Sequence, residues 1–386
     1  MLANKQNKVG SAADLLSTPI TRGQNALKAY TKILANPHET RQLRTWKIGE
    51  AAAILGCHQQ TIRKHEKPDG SGKLGMPEYD QSGHRAYSLE RLNFIRRELG
   101  LGKSKPEGAS AAVVSVTIYK GGVGKTNTTI SLAHELALRG YRILLIDLDP
   151  QGTLTYKCNF NQTFDFTAEE TIKNVLLDDP LLIKDVIRET HWPTVDLIPA
   201  HEEMEDTDYS LPDPKKSNTK KLGPAVYRLK LALEFVKQDY DIILCDCGPN
   251  QGPMTLNALL ASDHLLLPIL PDLNTFTSSM TYLNRMKSLF TDVEENIQSI
   301  NFFINNHNGN KQAVAAEAFL REQFDGIILD STIPTSEGFI TAGNNLSSVY
   351  ELRGKNKNTA VKNSMNYTKK LCDEIMTYVQ HGWENQ

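Results

Sequence analysis

Residues 112–126 read AVVSVTIYKGGVGKT, and this stretch decides the fold. Its first part, 112–119, is a continuous and largely β-branched run, which is typical of a strand buried on both faces of a parallel sheet. The glycine-rich turn after it leads into the helical segment TNTTISLAHELALRG, for which Gly140 is the predicted C-cap. A strand, a glycine-rich turn and a helix in succession predict the first unit of an α/β domain.

Further apolar runs of strand length recur downstream, and helical segments separate most of them. They are RILLID (142–147), DIILCD (241–246), HLLLPI (264–269), NFFINN (301–306) and GIILDSTIP (326–334). This alternation predicts a doubly wound, mostly parallel α/β sheet. The polar stretch 202–224 contains three prolines and is predicted to be a mobile surface excursion.

The turn at residues 120–126 has the composition of a phosphate-binding loop. Backbone N–H groups at a helix N-terminus meet phosphate charge, and glycines let the backbone come close. Lys125 is predicted to reach the β- and γ-phosphates, and the Thr126 hydroxyl to ligate Mg²⁺. Tyr119 stands where the usual pattern has its first glycine, and Lys120 is an additional lysine. The alternative is a glycine-rich turn that carries lysines by chance.

Three aspartates stand at the ends of predicted strands. Asp147 and Asp149 end one strand, and Asp246 ends another. Ligands of open α/β sheets bind beyond the carboxyl ends of the strands, so the three carboxylates are expected at the same edge as the loop. The alternative is that an acid after four apolar residues only caps the end of its strand.

Residues 46–66 have the spacing of a helix-turn-helix: an apolar stripe, a glycine that permits a sharp turn, and a second helix with an exposed polar face. Residues 79–92 resemble the wing and following helix of a winged domain. The predicted DNA contacts are Gln59, Gln60, Thr61, Arg63, Lys64 and, at the wing, Arg85. A helical hairpin with solvated basic residues is the alternative.

Composition and charge narrow the class of protein. Apolar residues make up 40% and charged residues 23%, which excludes a disordered polymer, a collagen and a membrane-spanning bundle. The net charge of −2 hides an asymmetry, because residues 1–110 carry 18 Lys and Arg against 10 Asp and Glu. Such a split is typical of a nucleic-acid-binding segment joined to another domain. Cys245 and Cys247 lie in an apparently buried strand, which favours a reduced, cytoplasmic chain.

The motifs KGGVGKT, IDLDPQG and IILCDCGPN together resemble the deviant-Walker-A ATPases of the ParA/MinD group, over residues 110–385. With the basic N-terminal part, the resemblance extends to the large plasmid-type ParA proteins. It implies that Lys120 reaches across a dimer to the partner's ATP. It also implies that Asp149 positions the attacking water, that Asp147 supports the metal and water network, and that Asp246 holds Mg²⁺ through water.

The resemblance implies further ligand contacts. The expected nucleotide-binding residues are Lys120, Gly121, Gly122, Val123, Gly124, Lys125, Thr126 and Asn127, with Asn305, Asn306 and Pro334 as adenine candidates. Members of the group bind DNA without sequence preference through basic residues near the C-terminus, and the candidates here are Arg353, Lys355, Lys357 and Lys362. No lysine or arginine lies between Pro334 and Arg353, where related proteins often have one, and a charge run is otherwise a solvated face.

Three domains are expected. Residues 1–44 would form a helical segment, used for self-association or packed on its own domain, with helical spacing over 20–43. Residues 45–105 would form the winged helix-turn-helix. Residues 106–386 would form the ATPase domain, and a linker that is rich in Gly, Ser, Pro and Lys is predicted at 100–110.

The resemblance implies a DNA-partitioning ATPase that is cytoplasmic and nucleoid-associated. It would use ATP/ADP and Mg²⁺, form a homodimer with ATP, bind bulk DNA and a specific operator, repress its own operon, and respond to a ParB-like partner. The alternative is a transcription regulator that uses nucleotide only as a ligand. A MinD-like membrane role is disfavoured because the tail, 371–386, contains acids but no Lys or Arg. An electron-transfer ATPase is disfavoured too, because it would need cluster-binding cysteines, and the five cysteines here are expected to be buried or scattered.

Overall fold

The structure is a computed structural model that describes residues 16–19, 21–23, 25, 43–102, 104–213, 223–293, 297–352 and 359–386. Residues Met1–Gln42 and Leu43–Gln386 form two units. The helix predicted over 20–43 lies almost wholly outside the described residues, and so does its proposed role in self-association.

Residues 43–102, called the N-terminal module below, contain short helices and a two-stranded sheet. The elements are β1 (Trp46–Lys47), α1 (Ile48–Leu55), α2 (Gln59–His65), β2 (Ala86–Tyr87) and α3 (Leu89–Leu99). Gly56 ends α1 with a φ of 65°, a conformation that glycine adopts without strain. β1 and β2 pair antiparallel. That this module is a winged helix-turn-helix reader of DNA stays a prediction.

An eight-stranded sheet organises the rest of the chain. Its strands are β3 (Ala112–Val116), β4 (Ile143–Asp147), β5 (Arg188–Glu189), β6 (Val195–Ile198), β7 (Ile242–Asp246), β8 (His264–Ile269), β9 (Ser299–His307) and β10 (Ile328–Pro334). Their spatial order is β10-β9-β8-β3-β7-β4-β6-β5. Every neighbouring pair is parallel except β5 with β6, so the prediction of a mostly parallel α/β sheet is confirmed.

Helices cover both faces of this sheet. They are α4 (Lys125–Leu138), α5 (Thr153–Lys157), α6 (Ile172–Leu177), α7 (Thr207–Ser210), α8 (Arg228–Leu233), α9 (Pro253–Ala261), α10 (Leu273–Val293), α11 (Lys311–Gln323), α12 (Glu337–Asn344) and α13 (Thr359–Glu384). Alternate strand residues enter different apolar clusters: Ile143 and Leu145 join one, and Leu144 and Ile146 join another. This is the double-sided burial that continuous apolar strands indicate. No helix in the described ranges has an apolar stretch that would cross a bilayer.

The N-terminal module shares a core with the large domain. Trp46 and Leu55 belong to the same apolar cluster as Leu136 on α4 and Leu371 on α13. The segment predicted as a linker, 100–110, has neither helix nor strand among its described residues, and it contacts the large domain. Lys105 Nζ donates to the carbonyl of Tyr240 at 2.6 Å, which anchors the connection to the sheet.

The segment predicted as a surface excursion, 202–224, is packed where the structure describes it. Met204 and Leu211 are fully buried. The carboxylate of Asp208 accepts a hydrogen bond from the backbone N–H of Met254 at 2.8 Å and so caps the first turn of α9. Residues 202–213 are thus anchored by buried side chains, their mobility stays a prediction, and residues 214–222 lie outside the described ranges.

Candidate functional site

The glycine-rich loop connects β3 to the N-terminus of α4. Gly122 and Gly124 have φ values of 73° and 92°, in the left-handed region that favours glycine. A Cβ atom at Gly124 would lie 2.3 Å from Nδ2 of Asn305, so only glycine fits there. The first N–H groups of α4 have no partner within the helix, and the loop therefore presents a site for an anion.

Lys125 is buried at the start of α4. Its ammonium folds back over the loop and donates to the carbonyls of Lys120, at 3.1 Å, and Ile118, at 3.3 Å. Burial lowers the pKa of Lys125, and the charge of Asp246 acts in the opposite direction. A cation held inside a loop of this shape is placed to neutralise a bound phosphate. Tyr119, by contrast, is half exposed on the flank of the loop.

Asp147 and Asp246 end adjacent strands and face each other in the register of β4 and β7. Asp147 is fully buried, and its carboxylate accepts from the N–H of Thr155 at 2.9 Å, from the hydroxyl of Thr155 at 2.8 Å, and from the N–H of Asp149 at 3.2 Å. Burial and the charge of Asp246 raise its pKa. Asp147 thus caps the end of its strand, which is the alternative that the sequence allowed. Its role in a metal and water network stays a prediction.

Asp149 lies two residues beyond this cap and is only half-buried. Its carboxylate accepts from the N–H of Gln151 at 3.1 Å. Gly248 lies close to it, since a Cβ atom there would be 3.5 Å from Cγ of Asp149. The three predicted aspartates therefore meet at one edge of the sheet, and Asp149 is the most accessible of them.

Asp246 has one carboxylate oxygen in a hydrogen bond and one that is buried without a partner among the described residues. The hydroxyl of Thr129 donates to Oδ1 at 3.2 Å, whereas Oδ2 is buried without a hydrogen-bond partner among the described residues. Burial raises the pKa of this carboxyl to about 7, and the nearby Thr126 hydroxyl acts in the opposite direction. An orphaned carboxylate oxygen beside a threonine hydroxyl is the donor set that suits a hydrated Mg²⁺ ion.

A cavity of about 300 Å³ opens beside the loop. The residues that line it include Gly122, Val123, Gly124, Asn127, Asn305, Asn306, Pro334 and Phe339. Asn305 donates to the carbonyl of Val123 at 2.7 Å, and Thr335 donates to Oδ1 of Asn306 at 2.8 Å. The predicted adenine residues thus line one cavity together with the phosphate loop, and their role in binding adenine stays a prediction.

The N-terminal module presents the predicted contacts of α2 to solvent. Gln59, Gln60, Arg63 and Lys64 are exposed, while Ile62 is fully buried and anchors the helix. Thr61, also predicted as a DNA contact, is half-buried. Four exposed polar side chains on one short helix form a surface that can face nucleic acid.

Arg85 is placed differently from the other predicted DNA contacts. Its guanidinium forms an ion pair with the buried Glu66 at 3.1 Å, and Arg91 and Tyr87 bind the same carboxylate at 2.8 Å each. An unpaired charge buried at this position would be costly in free energy, and here two cations and a phenol compensate the carboxylate. In this structure Arg85 holds the β2 region to the end of α2, and a contact of Arg85 with DNA stays a prediction.

Of the four C-terminal residues predicted to contact DNA, the structure describes one. Arg353, Lys355 and Lys357 lie outside the described residues. Lys362 is exposed near the start of α13.

Sequence reasoning missed Thr129 and Thr155, whose hydroxyls bind the carboxylates of Asp246 and Asp147. For Thr129 a signal was present, because a residue four positions after Lys125 lies on the same face of the helix. For Thr155 no local signal exists, since the contact depends on how α5 returns toward β4.

Comparisons with known proteins agree with this geometry. A family model described as an AAA domain matches residues 111–301. Protein SopA of Escherichia coli (strain K12) is 27% identical over 387 residues, which cover 96% of this chain and 98% of SopA. Cell division protein PomZ of Myxococcus xanthus is 32% identical over 225 residues, which cover 58% of this chain and 67% of PomZ.

Two solved structures share the fold. A partition protein superposes with a TM-score of 0.66 at 24% identity, covering 95% of this chain and 98% of that one. Cobyrinic acid a,c-diamide synthase from Mycobacterium smegmatis, solved with an ATP analogue and magnesium, has a TM-score of 0.56 at 20% identity and covers 70% of this chain and 97% of that one. Taken with the loop, the three aspartates and the sheet order, these similarities show that the chain belongs to the ParA/MinD group of P-loop ATPases.

Proposed function

We propose that this protein is a DNA-partitioning ATPase that uses ATP and Mg²⁺ to switch between two modes of DNA binding. The observation that carries the proposal is the arrangement at the sheet edge. A buried lysine sits inside a glycine loop, beside a carboxylate whose Oδ2 has no partner among the described residues. The similarity to SopA over almost the full length of both chains supports partition as the biological task.

Each residue of the site has a task in nucleotide binding. The loop 120–124 and the N-terminus of α4 would hold the phosphates, and Lys125 would exchange its two loop carbonyls for phosphate oxygens. Thr126 and Asp246 would hold Mg²⁺, which neutralises charge on the β- and γ-phosphates. The cavity lined by Asn306 and Pro334 would take the base.

Hydrolysis needs an aligned water and an additional cation. Asp149 is the accessible carboxylate at the edge and would orient the water. Lys120 is half-buried at the start of the loop, next to the exposed Tyr119, and its ammonium would act on the nucleotide of a second copy. A site that borrows a cation from its partner makes ATP the link of a homodimer and leaves the single chain a slow ATPase.

The two DNA modes use different surfaces. The exposed face of α2 would bind the operator and repress the operon. Basic residues around the start of α13 would bind bulk DNA through phosphates, without sequence preference. A ParB-like partner would stimulate hydrolysis and release the protein from the nucleoid in the cytoplasm.

The test measures hydrolysis and DNA affinity on the same preparation. With Mg²⁺ and ATP, we expect binding to a random-sequence duplex at least about tenfold tighter than with ADP, a difference of about 1.4 kcal/mol. Asp149→Asn should keep this ATP-dependent binding and lose hydrolysis. Equal affinity with ATP and ADP, with intact nucleotide binding, would favour a regulator that uses nucleotide only as a ligand.

A further inference from the structure

The hydroxyl of Thr129 lies between the phosphate loop and the metal carboxylate. Thr129 is on α4 and is fully buried. Its Oγ1 is 3.0 Å from the carbonyl oxygen of Lys125 and 3.2 Å from Oδ1 of Asp246. We infer that Thr129 is a positioning residue for the Mg²⁺ site. Its hydroxyl would hold Oδ1 of Asp246 and leave Oδ2 free to face the hydrated ion. The inference rests on the proposed nucleotide function.

The count of protons supports this role. A threonine hydroxyl has one proton to donate, and both of its neighbours here are acceptors when Asp246 is ionised. A threonine inside a helix often donates to the carbonyl four residues earlier in the chain. Donation to an ionised carboxylate is stronger, because the bond is charge-assisted. The hydroxyl is therefore placed to donate to Oδ1 of Asp246, at 3.2 Å, from a helix position where it also reaches the carbonyl of Lys125.

The position in the helix gives this contact its importance. Residues 125 and 129 are one turn apart, so their side chains lie on the same face of α4. Lys125 contacts the phosphate loop, and Thr129 contacts Asp246, the proposed metal ligand. One turn of α4 thus carries both the lysine of the loop and the hydroxyl that contacts Asp246. A hydroxyl used only for packing would show no dependence on the metal, and this difference makes the role testable.

Two variants separate positioning from packing. Thr129→Val keeps the shape of the side chain and removes its donor, whereas Thr129→Ser keeps the donor and removes one methyl. The measurement is the affinity for ADP in EDTA and across a Mg²⁺ titration. For Thr129→Val we expect the half-saturating Mg²⁺ concentration to rise about tenfold or more, the loss typical of a residue that supports a metal ligand. Affinity for ADP in EDTA should stay within about threefold, because the phosphate loop is untouched.

The controls decide between the outcomes. Thr129→Ser should titrate with Mg²⁺ as the wild type does. Ser279→Ala removes a buried hydroxyl that donates only to the carbonyl of Thr275, at 2.8 Å, far along the chain from the loop, and should change nothing. Where Thr129→Val does not fold, Thr129→Ala replaces it in the same titration.

Two results would be negative, and they differ in meaning. If the wild type binds ADP and Mg²⁺ but a folded Thr129→Val or Thr129→Ala titrates identically, Thr129 only packs and the inference is wrong. If the wild type binds no ADP with or without Mg²⁺, the proposed function itself fails.

Discussion

The guanidinium of Arg96 donates a hydrogen bond to the carbonyl of Leu138 at 2.6 Å. Arg96 lies on α3 of the N-terminal module and is 9% exposed, and Leu138 is the last residue of α4. A cation is favourable at the C-terminus of a helix, where carbonyls lack partners. The module that presents α2 therefore rests on the far end of the helix whose first turn forms the phosphate loop.

Arg96→Leu should lower the free energy of unfolding by about 1–3 kcal/mol, because the buried carbonyl of Leu138 loses its donor. Urea unfolding followed by circular dichroism measures this. Arg97→Leu changes an exposed neighbour on the same helix and should have little effect. Equal stability of the two variants would mean that the module is held by apolar packing alone.

Lys125→Ala should weaken ADP binding at least about a hundredfold, roughly 2.7 kcal/mol, because a buried phosphate charge would lose its counter-charge. Calorimetric titration of ADP with Mg²⁺ is the measurement. Lys311→Ala, at an exposed position on α11, is the matched control. Unchanged affinity in Lys125→Ala would remove the phosphate-loop assignment.

Lys120→Ala should bind ATP but fail to form the ATP-dependent dimer. The reason is its position at the start of the loop, next to the exposed Tyr119, from which its ammonium would reach the nucleotide of a second copy. Size-exclusion chromatography with a slowly hydrolysed ATP analogue gives the oligomeric state. A dimer of normal yield would contradict a role across the interface.

Two double variants should separate the DNA modes. Arg63→Ala with Lys64→Ala should weaken operator binding far more than ATP-dependent binding to random DNA, since both side chains lie on the exposed face of α2. Lys355→Ala with Lys357→Ala, chosen from the sequence, should do the reverse and lower the salt slope by about one per lost phosphate contact. Salt titrations on both DNAs, with ADP and with ATP, provide the comparison. Equal weakening of both modes by each double variant would indicate one shared surface.

Glu351 should make stability depend on acid pH. Burial alone would raise the pKa of this carboxyl. The hydrogen bond from His191, the charges of His134 and His191 and the N–H of Ser348 together outweigh burial and hold the pKa at about 2. The depressed pKa contributes stability that is complete above about pH 4.5 and is lost as the pH falls toward 2, roughly 3 kcal/mol in all. Glu351→Gln should therefore be less stable than the wild type at pH 7, with the difference shrinking below pH 4.5. Chemical denaturation from pH 7 to 3 measures it, and Glu322→Gln, at an exposed site, should show no such trend.

The strands that sequence predicts best are those with continuous apolar runs. β3, β4, β7 and β8 agree with prediction within a few residues at each end. β6 was missed because Asp196 interrupts a four-residue strand, and only the structure shows the phenol of Tyr240 donating to that carboxylate at 2.7 Å. A buried acid looks like a loop residue until its partner, far away in the chain, is known.

The nucleotide site is predictable where it follows the chain, and unpredictable where it depends on the approach of distant elements. The loop and the three strand-end aspartates came from spacing and from the rule for sheet edges. The bond from Asn305 to the carbonyl of Val123 spans β9 and the loop, which no local pattern indicates. The burial of Glu66, which draws Arg85 inward, likewise depends on the whole N-terminal module.

The place of β3 in the sheet sets an order for biosynthesis. This strand emerges first among the eight, yet it lies between β7 and β8, and its residues pair with Ile242–Asp246. A ribosome adds about 130 further residues between Val116 and the end of β7, which takes on the order of ten seconds. During that interval one of the most apolar strands of the protein has neither of its neighbours. The nascent chain must therefore keep β3 shielded by α4 or by a chaperone, and truncated products that end before β7 will be prone to aggregate.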